Sequence, residues 1–118
     1  MTGGELVWTI AAHDGARIAA PAGRVDESTA TAFGDRLAQE VGAAAEAGVL
    51  RLAIDLAGID YMSSRGLRGL TLAQRRATEA GVTIVLAQPN EIMQEILAIS
   101  RYDMVFKVFD TIEQAAAG

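Results

Sequence analysis

Residues 51–72 read RLAIDLAGIDYMSSRGLRGLTL, and the order of signals within them decides the fold. Leu50, Leu52, Ile54 and Leu56 alternate with Arg51, Ala53 and Asp55, which predicts a strand over 50–56 with one well-buried face. Ala57-Gly58-Ile59-Asp60 reads as a short turn. Ser63 and Ser64 then precede a helical pattern that carries Leu67, Leu70, Leu72 and Ala73 on its apolar side. A strand and loop feeding a helix in this way put both serines at a helix N-terminus. A hydroxyl there caps an orphan backbone N–H. The unpaired N–H groups and the positive end of the helix dipole also favour an anion. From two serines alone, simple capping is the better reading.

The flanks supply the rest of the alternation. Leu6, Trp8 and Ile10 predict a first strand, His13-Asp14-Gly15 a turn, and Ala16 to Ala20 a second strand stopped by Pro21, together a hairpin. Ser28 or Thr29 is placed to cap a helix running to about Ala47, with Phe33, Leu37, Val41 and Ala44 at helical spacing and Gly48 as its stop. The helix behind the serines ends near Gly81. Val82, Ile84 and Leu86 form a strand closed by Pro89, and Asn90 caps a helix carrying Ile92, Met93, Ile96, Leu97 and Ile99. Met104 to Val108 read as a last strand, and Asp110-Thr111-Ile112-Glu113 as a capping box. A hairpin followed by repeated helix–strand alternation is an α/β pattern with a mainly parallel, mixed sheet. Right-handed crossovers that keep advancing put the major helices on one face. A single domain is expected over 1–118.

The run Asp55-Leu56-Ala57-Gly58-Ile59-Asp60-Tyr61-Met62-Ser63-Ser64-Arg65-Gly66-Leu67 resembles the signature of STAS domains. These are the small bacterial anti-sigma factor antagonists and related domains of sulphate transporters and stress-signalling complexes. Upstream, Ala22-Gly23-Arg24-Val25-Asp26-Glu27-Ser28-Thr29-Ala30 is similar to the family's Gly-x-hydrophobic-Asp element before its first helix. The resemblance runs from about Leu6 to Ala115 and implies a one-faced arrangement of the major helices, not a doubly wound sheet.

Composition bounds the function. A chain of 118 residues with 51% apolar content can furnish one core. A formal charge of −5 argues against direct nucleic-acid binding. The absence of cysteine excludes disulfides and thiolate metal sites and suits a reducing cytosol. MTGGELVWTIAAHDG lacks a positive n-region, and no segment approaches the ~18 continuous apolar residues of a membrane span. The expectation is a cytoplasmic protein without membrane insertion.

No chemistry of turnover is legible. The one histidine, His13, lies in a turn and reads as solvated, not as a metal ligand. Neither serine has a His or Cys nearby to act as a base, and no phosphate-loop pattern is present. Asp55 and Asp60 read as turn or loop residues. A receiver domain would place a phosphoacceptor at Asp55, but it needs an acidic pair after the first strand and a Lys after the fifth. Asp14 stands alone and leads into a strand, and Lys107 lies within an apolar run. The chain is expected to be a non-enzyme without cofactor or metal.

The STAS resemblance implies a partner-binding module switched by phosphorylation. The acceptor aligns with Ser64, two residues before Gly66, with Ser63 as a minor alternative. Ser63 stands where many relatives carry Asp, and Arg65 where others carry a second Ser. Implied partners are an anti-sigma factor acting as a serine kinase and a cognate phosphatase, met by Asp26, Ser63, Ser64, Arg65 and Arg68. An accessory subunit of a lipid or ABC transport complex, or of a stress-signalling assembly, is the alternative. Arg68, Arg75 and Arg76 fall on the polar side of the same helix, read either as a partner contact or as an ordinary solvated face. Leu67 and Leu70 fall in the core, and Tyr61 and Met62 read as core residues or partly buried loop anchors.

Overall fold

In the computed structural model, which describes residues 5–118, Asp14 and Gly15 both take positive φ, 50° and 82°. That pair of left-handed residues is what a two-residue hairpin with native twist demands. It joins β1 (Val7–His13) to β2 (Ala16–Val25) in antiparallel register, His13 opposite Ala16. The first four residues of the expected 1–118 span lie outside the described residues. From β2 the chain enters α1 (Ala30–Glu46), β3 (Arg51–Asp55), β4 (Ile59–Met62) and α2 (Ser64–Ala80). It continues through β5 (Thr83–Ala87), α3 (Glu91–Ser100), β6 (Val108–Phe109) and α4 (Ile112–Ala117). The sheet order is β1-β2-β3-β5-β6, with β4 paired to β2, and every pairing after the hairpin is parallel. This is the mixed, mainly parallel α/β sheet expected.

Both faces of the sheet are covered, unequally. Leu52 and Ile54 of β3 join Phe33 and Leu37 of α1, Leu70 of α2 and Met93 of α3 in the larger apolar cluster. Ala53 points the other way and packs with Val85, Ala115 and Ala116, under α4. The three longer helices therefore share one face. The expectation of one buried face for β3 fails, because the C-terminal helix closes the second. An alanine at the middle of the strand leaves room for it.

Several boundaries also move. Pro21 does not stop β2; it sits opposite Trp8 in the hairpin. Residues 20–22 fall between the pairing with β3 and the pairing with β4. The missing amide proton is thus in the stretch of β2 that pairs on one side only. The expected 57–60 turn is shorter, since Ile59 and Asp60 already belong to β4, in parallel register with the end of β2. Met104 ends a 3₁₀ turn, and the last strand is confined to Val108–Phe109. The final cap is Thr111, which accepts from the Gln114 amide, while the Gln114 side chain accepts from the Asp110 amide. Leu50 lies outside β3, and both it and Leu72 are exposed.

One buried charge fastens β2 to α1. Glu40 accepts from Arg17 Nε at 2.7 Å and Arg36 Nε at 2.9 Å, while the Arg36 guanidinium lies 5.1 Å from the Trp8 ring centroid. Burial alone would raise the Glu40 carboxyl, but the hydrogen bonds from Arg36 and Arg17 outweigh it and hold the pKa below 4.5. Glu40→Gln is expected to cost about 1–3 kcal/mol at neutral pH. The two arginines are about one-third exposed and can turn to water, which limits the loss. Because the folded pKa is depressed, this stabilisation is complete above the unfolded value of 4.5 and disappears as pH falls through the folded value. Urea unfolding of both proteins checks this. The gap should shrink as the pH falls below the ordinary glutamate range, and a gap independent of pH would contradict the role of the charge.

Candidate functional site

The two serines have different surroundings. Ser63 is the N-cap of α2: its extended backbone lets Oγ accept from the Gly66 amide at 3.3 Å. Its own amide donates to the Val25 carbonyl at 2.8 Å, tying the start of α2 to the end of β2. Ser64 is the first residue of α2 and is exposed. The fold therefore uses one serine for structure and presents the other.

Gly66 explains how closely this end of α2 can pack. A Cβ there would stand 2.6 Å from Val25 Cγ1 and 2.7 Å from Met62 Cγ, contacts no side chain tolerates without movement. Val25 and Met62 are buried and Val25 is stiff at χ1, so there is little give. The glycine thus keeps Ser63 and Ser64 seated against β2 and β4.

The loop after β2 reaches the same place. Asp26 Oδ1 accepts from the Ser28 amide at 3.0 Å and the Ser28 hydroxyl at 2.8 Å, and Oδ2 from Arg24 Nε at 3.2 Å. The Ser28 hydroxyl, then its amide and Arg24, hold the Asp26 carboxyl below the ordinary value, so it is anionic at neutral pH. Thr29 Oγ1 donates to the Arg24 carbonyl and accepts from the Asp26 amide, a loop clasp in place of the expected side-chain cap. Arg65 Nη1 donates to Glu27 Oε1 at 3.0 Å, bridging from α2 to this loop. Asp26, Ser63, Ser64 and Arg65 thus lie on one end of the molecule. Arg68 is exposed one turn further along α2, lining a groove against α1.

Other expected positions fall as follows. Leu67, Leu70 and Met62 are buried, while Tyr61 is at the surface beneath the Arg24 guanidinium, 4.4 Å from its ring centroid. Asp55 accepts from Gln88 Nε2 through both oxygens at 3.2 Å. Among the described residues no three His, Cys, Asp or Glu side chains cluster as metal ligands, and no helix is long and apolar enough to cross a membrane.

Sequence reasoning missed what holds the 57–62 segment. Asn90, foreseen as a cap, accepts from the Met93 amide and also donates to the carbonyls of Leu56, Ala57 and Ile59. A cap is legible in sequence; three carbonyls more than thirty residues away are not. Asn90→Asp keeps the cap acceptor and puts oxygen against those carbonyls. It should destabilise by about 1–3 kcal/mol, read by chemical denaturation, and an unchanged midpoint would mean the carbonyl bonds carry nothing.

A family model described as the STAS domain matches residues 8–115. The chain belongs to that family. Its relatives include a Bordetella bronchiseptica protein named as an anti-sigma factor antagonist, BtrV. The two are 32% identical over 104 residues, covering 88% of this chain and 86% of BtrV. Among solved structures, a Thermotoga maritima protein named as an anti-sigma factor antagonist superposes with a TM-score of 0.78 at 20% identity. That match covers 93% of this STAS domain and 92% of the other chain. The Bacillus cell fate determinant SpoIIAA, solved in its phosphorylated form, gives 0.62 at 13% identity over 94% and 97% of the two chains. These low-identity likenesses establish the fold.

Proposed function

We propose that this STAS domain is an anti-sigma factor antagonist that binds an anti-sigma factor and is released when Ser64 is phosphorylated. One observation carries the reading. Ser63 is occupied in capping α2, whereas Ser64 stands exposed beside it, open to a kinase. Phosphate would add about −1.5 to −2 charge at neutral pH. The first turn of a helix accommodates that charge through its dipole. Arg68 is four residues on, on the same side of α2, and Arg65 is adjacent. The fold therefore survives the modification while the contact surface gains negative charge. Asp26 and Arg65 supply polar contacts at the rim, and Ser63 is at most a minor acceptor, since its hydroxyl is already engaged.

The relationship to BtrV supports the signalling branch of the family over a transport accessory role. The partner is an anti-sigma factor with serine kinase activity, a phosphatase reverses the switch in the cytoplasm, and this chain performs no turnover of its own. Affinity capture on the immobilised protein, with identification of what is retained, tests the branch. An anti-sigma factor of the kinase type is the expected partner. A transporter ATPase or permease subunit in its place would overturn the assignment in favour of the transport reading.

A further inference from the structure

Beyond Ser64, α2 carries a row of cations with an unusual setting. Arg65, Arg68, Arg75 and Arg76 line an open groove between α1 and α2, with Asp35 and Glu79 as its acidic lining. Arg65 is tied to Glu27. Arg68, Arg75 and Arg76 have no ion-pair partner among the described residues. The groove is thus locally basic on a chain whose formal charge is −5.

Its floor is small and apolar. Ala30, Gly34 and Ala38 come from α1, and Gly69 and Ala73 from α2, each set spaced by four. A Cβ on Gly69 would lie 3.5 Å from Gly34 Cα, so the two helix backbones nearly touch at the base. Leu72, also in the lining, remains 43% exposed although it belongs to an otherwise well-buried helix pattern. Ridges of side chains four apart on an incoming helix match such a surface. The floor from Ala30 to Ala38 spans about 12 Å, two helical turns.

We propose that this groove takes an acidic, amphipathic helical segment of the partner protein. Its small and apolar side chains rest on the floor and against Leu72, and its carboxylates pair with Arg68, Arg75 and Arg76. Guanidinium groups suit carboxylates because they bind them bidentately. An apolar floor and an overall negative chain disfavour a nucleic acid as occupant. This contact rests on the partner-binding reading above and extends it along α2, away from the Ser64 loop.

A synthetic helical peptide tests it without the natural partner or any kinase, so an error in the Ser64 assignment leaves the outcome untouched. The probe is about 18 residues, five turns, with Ala and Leu on one face and Glu flanking them. Titrated into the isotope-labelled protein, it should shift the amide signals of Gly34, Ala38, Gly69 and Ala73. The same peptide with Gln for Glu should bind at least about tenfold more weakly, since charge-assisted pairs are lost. Arg68→Glu with Arg75→Glu should weaken binding equally, with an unchanged circular dichroism spectrum, whereas Lys107→Glu outside the groove should not. Amide shifts elsewhere or nowhere, or equal affinity for the Gln peptide, would overturn the proposal.

Discussion

Leu70→Ala is expected to lower the unfolding free energy by about 2–5 kcal/mol, the range for deleting a fully enclosed leucine. Leu70 has no exposed surface, and it belongs to the cluster in which α1, α2 and β3 meet. The neighbours cannot easily close over a void there. Gly69, the residue before it, already lies 3.5 Å from Phe33 Cδ2 at its notional Cβ, and the two helix backbones are near contact at Gly34. The cost should therefore lie in the upper half of the range. Trp8, the chain's one tryptophan, stacks on Phe33 at 5.9 Å and reports the same core by fluorescence. A loss below about 1 kcal/mol in a cooperative transition would mean that α2 does not pack as described.

Ser64→Asp separates fold from function. A carboxylate in the first turn of a helix is tolerated or mildly favourable, so stability should change by no more than about 1 kcal/mol. Binding to the captured partner should fall by at least about tenfold, or 1.4 kcal/mol. The residue lies on the surface shared by the Asp26 loop and the start of α2, and desolvating an added, imperfectly paired charge there is costly. Ser64→Ala should bind like the unmodified protein. Loss of cooperative folding in Ser64→Asp would instead show a serine that the structure needs, contrary to its exposure.

The sequence carried the architecture because its signals were local. Alternation in β3 and β5, glycine after α1 and α2, and serine or asparagine caps all depend on neighbours within a few residues. The errors share another cause. Pro21 read as a stop because a missing N–H is visible in sequence, while the register that makes it harmless is set by β3 and β4, thirty or more positions away. The second buried face of β3 depends on Ala115 and Ala116, about sixty residues downstream. Leu72 fits the apolar pattern of α2, yet it remains 43% exposed at the edge of the groove between α1 and α2. At the site, the two serines and Gly66 were legible as a motif. Their division of labour depended on which hydroxyl the Gly66 amide would meet. Nothing in the sequence pointed to Glu27 as the partner of Arg65, since an acid in a loop has no preferred cation until the fold supplies one.

The most direct test of the central claim measures phosphate and affinity on the same molecules. The protein is incubated with ATP and its captured kinase partner, the phosphorylated residue is located by mass spectrometry, and the modified and unmodified forms are compared for binding to that partner. The account predicts one phosphate, on Ser64, retained in Ser63→Ala, abolished in Ser64→Ala, and accompanied by weakened binding. Phosphate on another residue, or equal affinity of the two forms, would contradict it.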